Sequence, residues 1–318
     1  MVQEVDLHTF LSNTNDWQWV SHTQTQGWLD AFLRGSDVRC FMSENIACVG
    51  WVTRKCGKRM LTVKGECFRS LPVSNKQVFA FFEHISKIDA DLVSINSDSV
   101  YSADYEVGIR QAGFLRPVGM FSTTLSKVVS LDQPYVFDRS WQRNLKQADD
   151  SRLSFVPAVC SEQAADEYVR LHNEMERRKG FNDGLTVEQL RVLLTQTCFR
   201  MAWVDDNSGN HLAGGIVYQR GGYGRFLYSF TTPTGREKSA SYLLYKGWLD
   251  NLSLEGVTQF DLGRLSPSKH LKNNLFLFKN GIGGEVVSYN GEWVYSSSAW
   301  LPFAMYVANK YYWKRVRV

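Results

Sequence analysis

The segment TTPTGREKSASYLLYKGW, residues 231–248, holds residue types and spacing suited to gripping an anion. A run with strand alternation, YGRFLYSF, stops before Pro233 and gives way to an amphipathic helix with apolar positions at 243, 244, 248, 249 and 252. A helix start leaves backbone N–H groups without intrahelical acceptors and carries the positive end of the macrodipole, so a phosphate is stable there. Gly235, Ser239, Ala240 and Ser241 are small enough to let a phosphate approach the backbone, and Arg236 and Lys238 supply counter-charge. The expected ligand of that end is a pyrophosphate.

Other motifs do not survive the same test. GGYG at 221–224 precedes a strand rather than a helix, so it reads as a turn. The histidines at 8, 22, 84, 172, 211 and 270 lack metal-ligand spacing, and no metal is expected. No GxSxG motif and no Ser, His, Asp order suggests an esterase. The six cysteines, Cys40, Cys48, Cys56, Cys67, Cys160 and Cys198, contain no CxxC and read as reduced, buried thiols of a cytosolic protein.

The elements that must position the anion loop follow from length and periodicity. A chain of 318 residues, 44% apolar and 14% aromatic, can fill two cores, and two domains of about 150 residues are the natural prior. A net charge of +4 with 21% charged residues is too mild to name a nucleic acid or membrane as partner, but it permits an anionic ligand. The N-terminus has no basic segment followed by an apolar run, and no window reaches the roughly 18 apolar residues of a membrane span, so a cytoplasmic location is expected.

QTQGWLDAFL reads as a short helix, and NIACVGWVTRKCGKRMLTVKG as a hairpin turning at Lys55 to Lys58. Val78, Phe81, Phe82 and Ile85 form a helical stripe opened by Ser74 or Asn75. A strand at DLVSIN, a helix ended by Gly113 and a strand at MFSTTLSKV follow. The second half repeats this order: a meander from CFRMAWVDD to YGRFLYSF, the helix after the anion loop, strand VTQFDLG, helix KNNLFLFKNG, and a hairpin EVVSYNGEWVYS turning at Asn290 and Gly291. Between the halves lie a helix with Arg143, Lys146 and Arg152, and a longer one over 161–180, with Ser161 as N-cap and Gly180 as C-cap. Two related α/β units of mixed sheet flanked by helices result.

The order strand, TTPTGREKSAS, helix, VTQFDLGR, helix, FKNGIG resembles the C-terminal half of the GNAT acyltransferase fold. The doubling, the linking SWQRNLKQADDSRLSF, the LHNEMERRKGF helix and the FDLGR and FK elements are similar to its FemAB-like branch of tandem GNAT domains. The resemblance covers most of residues 22 to 298 and is strongest from 136 to 290. It implies domains at 1–135 and 136–298, and a helix at 299–318 that packs back on the first. It implies that the small-residue loop takes the pyrophosphate of coenzyme A and that the flanking strands splay to admit a thioester. The activity implied is N-acyl transfer to an amine of an anionic acceptor, such as a nucleotide-linked sugar, an envelope precursor or a surface-polysaccharide precursor. The usual GNAT phosphate pattern becomes Arg236, Ser239 and Ser241 here, so the donor is an acyl-CoA or an aminoacyl-tRNA; a non-catalytic binding module is the rival.

Such a transfer needs a deprotonated amine, a polarised carbonyl and a proton for the leaving group. Asp261 and Glu174 are candidate bases or amine-orienting groups, and Tyr228 and Tyr242 candidate acids, each weighed against capping, solvation or packing. The resemblance makes Lys279 the FK lysine, which binds anionic substrate or stabilises charge; as a plain sequence feature it is a cation at a helix C-terminus. Arg264 pairs with Asp261 or meets a substrate phosphate. Arg177, Arg178 and Lys179 either complement the helix dipole or bind the anionic acceptor in a cleft between the domains. The aromatic tail with Lys310, Lys314, Arg315 and Arg317 is weighed as a contact with the inner membrane surface.

Overall fold

The computed structural model of the chain describes residues 1–55, 57–117, 124–181, 184–265, 274–298, 300, 301, 303 and 307. The chain divides into two compact units, one of residues 1–124 with 287–318 and one of residues 125–286.

The first unit contains β1 (Gln3–Val5), α1 (Leu7–Thr14), β2 (Trp19–Val20), α2 (Gln26–Phe32), β3 (Asp37–Met42), β4 (Ile46–Lys55), β5 (Lys58–Lys64), β6 (Cys67–Phe68), α3 (Asn75–Ser86), β7 (Leu92–Val100) and α4 (Ala103–Gln111). The β4–β5 hairpin closes Lys55 on Lys58, where the turn residues place it. β7 then lies parallel to β5, from Met60↔Leu92 to Lys64↔Asn96. A parallel neighbour requires a crossover, and α3 supplies it. Its stripe of Val78, Phe81, Phe82 and Ile85 is 0% exposed, and a Ser74–Gln77 capping box fixes its start.

The second unit repeats the plan with β8 (Leu125–Ser130), α5 (Arg139–Asp150), β9 (Ser154–Pro157), α6 (Glu162–Lys179), α7 (Val187–Leu194), β10 (Phe199–Asp205), β11 (His211–Arg220), β12 (Tyr223–Thr231), α8 (Pro233–Glu237), α9 (Ala240–Leu254), β13 (Gln259–Leu265) and α10 (Asn274–Asn280). Its strands run in the order β8, β13, β12, β11, β10, β9, and β12 and β13 are parallel, with α9 as their crossover. Leu244, Trp248, Leu249 and Leu252 bury the inner face of α9. Ser161 accepts from the Ala164 N–H at the start of α6, and Gly180 ends it at φ 72°.

Two expectations are corrected here. The predicted EVVSYNGEWVYS hairpin is one strand, β14 (Glu285–Tyr295), antiparallel to β7. The Asn-Gly pair forms a bulge rather than a turn. Gly291 takes φ 69°, while the buried Asn290 side chain donates to Ser99 Oγ (2.9 Å) and the Val100 carbonyl (3.2 Å) and accepts from the Ser102 N–H (3.0 Å). The unit boundaries also differ from 135/136 and 298/299. The strand that follows α4, β8, joins the second unit, and most of the strand that follows α10, β14, joins the first. The helix read over 299–318, with Lys310, Lys314, Arg315 and Arg317, lies for the most part outside the described residues.

Cys40, Cys48 and Cys67 are buried free thiols as expected, and burial pushes Cys40 up to about 12. Cys160 is exposed because it falls in the coil between β9 and α6, Cys198 is half-buried, and Cys56 lies outside the described residues. Among the described residues no helix is long and apolar enough to cross a membrane.

Candidate functional site

β12 and β13 stay together for only a short distance. Tyr223↔Gln259, Gly224↔Phe260 and Arg225↔Asp261 are paired; beyond them β12 runs on to Thr231 while β13 follows β8 through Arg264↔Ser126 and Leu265↔Leu125. On the other side of β12 the register with β11 shifts, Ile216 facing Tyr228 and Val217 facing Phe226, so Leu227 is an extra residue that bends the strand. The two strands therefore part just past Arg225 and Asp261.

Asp261 sits at that fork, 0% exposed. Its Oδ1 accepts from the Gly263 N–H (2.7 Å) and from Ser126 Oγ; its Oδ2 accepts from Tyr223 OH (3.0 Å) and lies 3.4 Å from Arg225 Nε. A carboxylate with this many partners and no exposure is suited to positioning its neighbours rather than to taking a proton from a substrate. Arg225, which the sequence does not single out, brings a guanidinium beside it. Lys279, 7% exposed, donates to the Arg264 carbonyl at 2.9 Å. Burial pushes its ammonium down to about 8, with Asp261 pulling the other way and Arg225 and Arg264 adding to the fall. Gly263 leaves the space: a Cβ at this residue, whose φ is +79°, would stand 3.2 Å from the Phe226 carbonyl oxygen and 3.4 Å from Lys279 Nζ. The Lys279 amine thus reaches the gap between β12 and β13.

Next to this fork opens a cleft of about 740 Å³, lined by Ser229 and Thr231 of β12, the start of α9, Trp141 and Asn144 of α5, Lys179 of α6 and Phe278 of α10. Of the residues read as an anion loop, Gly235, Arg236, Ser239 and Ser241 line it; Ala240 is buried beneath, and Lys238 is half-buried outside the lining. The loop expected between strand and helix is partly helical, because Thr232 caps Gly235 N–H and Pro233 fits the first turn of α8. Ser239 then breaks the helix at φ 59°, and α9 begins with no side-chain cap. The Ser239 hydroxyl is within 3.0 Å of both Asn144 Oδ1 and Gln147 Oε1, which ties the break to α5, and Ser241 Oγ bonds Thr231 Oγ1 at 2.6 Å. Gly235 serves packing as well as access, since a Cβ there would come within 2.2 Å of the Leu212 carbonyl oxygen.

The basic cluster at the end of α6 fans out. Lys179 lines the cleft, where desolvation and the charges of Arg236 and Arg178 hold it below its usual range. Arg178 donates to the Thr231 carbonyl at 2.6 Å, and Arg177 lines a separate recess with Glu176. Glu174 faces solvent and accepts from Arg170 at 2.6 Å, so the structure does not bring it to the fork. Tyr228 lies on the α6 side of β12, edge-on to His172 with ring centroids 6.2 Å apart. Tyr242 lines the cleft, edge-on to Trp141 and Phe278. Tyr245, stacked on Phe226 at 4.3 Å and bonded to Ser229, was missed because its spacing is that of a core residue. Among the described residues no group of His, Cys, Asp and Glu could hold a metal ion.

Neither a protein-family model nor a curated protein matches the sequence. Solved structures match it in three dimensions. FemX superposes with a TM-score of 0.75 at 10% identity, over 96% of this chain and 100% of that one. A C-terminal domain assigned to a lysylphosphatidylglycerol synthetase of Agrobacterium fabrum gives 0.63 at 13% identity, over 94% and 95%. A tandem GNAT protein of the clavulanic acid biosynthesis pathway, solved without AcCoA, gives 0.54 at 11% identity, over 94% and 99%. The chain has the tandem GNAT fold, in the form it shares with FemX.

Proposed function

We propose that the protein is an N-acyltransferase that moves an acyl group from a coenzyme A thioester to an amine of an anionic acceptor. The observation that carries this reading is the fork of β12 and β13 opening beside a cleft that ends on the uncapped start of α9. In this reading the pyrophosphate rests on the first N–H groups of α9, with Arg236 and Lys179 as counter-charges. The thioester enters the fork, and the ammonium of Lys279, held by the Arg264 carbonyl and Asp261, stabilises the negative charge that develops on the carbonyl oxygen. Amine nitrogen attacks the carbonyl carbon, the C–S bond breaks, the amine proton passes to solvent and the thiolate leaves. Asp261 and Arg225 position Lys279 rather than touch substrate.

The test is calorimetric titration with acetyl-CoA and free CoA, in parallel with an Arg236→Ala/Ser239→Glu double variant. Micromolar binding that the variant loses supports the reading. Absence of binding by a folded sample overturns it and makes charged tRNA the next donor to titrate.

A further inference from the structure

The first unit has its own version of the fork. β5 and β7 take the places of β12 and β13, and α3 that of α9. The last parallel pair is Lys64↔Asn96, after which β7 runs on beside β14. The chain after β5 turns at Gly65 into β6, which stays with β4 through Ala47↔Cys67 and Ile46↔Phe68. Here, however, the protein fills the gap itself. β2 pairs with β6 by Trp19↔Phe68 and Val20↔Cys67, and the Ser21 N–H extends that ladder to the Glu66 carbonyl at 3.1 Å. A strand has two edges, and since β4 holds one edge of β6, β2 takes the edge that β5 gives to β7.

The residues after β2 tie both prongs together. Ser21 Oγ donates to Asp98 Oδ2 of β7 at 2.8 Å, while Thr23 Oγ1 and Gln24 Nε2 donate to the Lys64 carbonyl where the strands part. The Gln24 amide also accepts from the Val49 N–H at 2.6 Å and donates to the Val49 carbonyl at 3.1 Å. Ser21, Thr23 and Gln24 are 1%, 8% and 2% exposed, so these bonds are made away from water, where leaving them unmade is costly. Gly65 admits the segment, because a Cβ there would stand 2.1 Å from Ser21 Oγ.

The helix start is closed as well. The Ser74–Gln77 capping box meets the N–H groups of both residues, and α4 lies directly on the first turn of α3, where a Cβ on Gly108 would come within 2.5 Å of the Asn75 carbonyl oxygen. In the second unit α9 starts without a side-chain cap, and Leu275, Leu277 and Phe278 of α10 line an open cleft beside it.

We propose that residues 19–24 occupy, in the first unit, the place that the second unit leaves for its donor, so that the chain takes one donor and takes it on the second unit only. The donor role rests on the N-acyltransferase reading; the filled fork does not. The test joins calorimetric stoichiometry with acetyl-CoA to hydrogen exchange, both on the full chain. The expected result is one acetyl-CoA per chain, no binding left in the Arg236→Ala/Ser239→Glu variant, and Ser21 and Gln24 amides that exchange within about tenfold of the β7 amides. Binding of two equivalents, or any binding that survives in the folded variant, overturns the inference, as does exchange of Ser21 and Gln24 at the rate of an unstructured chain. The wild-type stoichiometry decides alone if the variant fails to fold. Absence of all binding with Ser21 and Gln24 protected sinks the donor reading and leaves the filled fork standing.

Discussion

Glu66 offers a stability measurement independent of any ligand. It is 0% exposed in the short connection between β5 and β6, its Oε1 accepts from Tyr105 OH at 2.5 Å, and its other neighbours include Ser97, Asp98 of β7 and Cys48 of β4. Burial raises its carboxyl from 4.5 to about 7, with the Asp98 charge adding to the rise and the Tyr105 and Ser97 hydrogen bonds opposing it. A raised acid is one whose proton the folded state holds more tightly than the unfolded chain does. The associated stability is fully present below about pH 4.5 and is lost as the pH climbs to about 7. At roughly 1.36 kcal/mol per unit, the wild-type chain loses on the order of 3 kcal/mol across that window. Glu66→Gln keeps the acceptor for Tyr105 and removes the titration, so its stability should fall behind or match wild type at pH 5 and gain on it steadily to pH 7.5. Urea unfolding at half-unit pH steps, with hydrogen exchange of β5 and α4 amides to localise the change to the first unit, reads the difference. Parallel curves for the two proteins would refute the reasoning, because they would mean that Glu66 titrates alike folded and unfolded.

Four further outcomes follow from the second unit and from β14. Lys279→Met should lower turnover by on the order of 10²-fold if its ammonium meets the developing oxyanion, with coenzyme A affinity nearly unchanged. Because its folded value is depressed to about 8, wild type should also gain stability as pH rises from 8 towards 10.5, a gain that unfolding curves of the Met variant should lack. Gly263→Ala should fill the fork and strain a left-handed backbone, costing roughly 1 kcal/mol or more and abolishing transfer; a variant as active as wild type would remove the fork from the mechanism. Asn290→Ala removes the amide that meets the part-buried Ser102 N–H, the Ser99 hydroxyl and the Val100 carbonyl, which should cost on the order of 1 kcal/mol in denaturant unfolding.

Local chemistry was written in the sequence wherever one residue type dictates one geometry. Ser161 and Gly180 bound α6, Lys55 to Lys58 turn the first hairpin, and the stripe of α3 goes inward because its period is that of a helix and its members are apolar. The small residues before α9 were legible for the same reason: a break and an uncapped start need short side chains. Sequence also implied a doubled α/β plan, since the order of elements repeats.

What remained hidden depends on partners far away in the chain. Asn290-Gly291 has the local signature of a turn, yet hydrogen bonds to Ser99, Val100 and Ser102 make a bulge in one long strand more stable than a hairpin. Adjacent α6 residues Arg177, Arg178 and Lys179 look like one patch, but about 100° of rotation per residue sends them to a recess, a strand end and the cleft at the start of α9. Asp261 looked like a base until Ser126, Tyr223, Arg225 and the Gly263 N–H gathered around it. The exchange of β8 and β14 between the two units was equally unreadable, because strand pairing is chosen by long-range register and burial rather than by the residues of a strand alone.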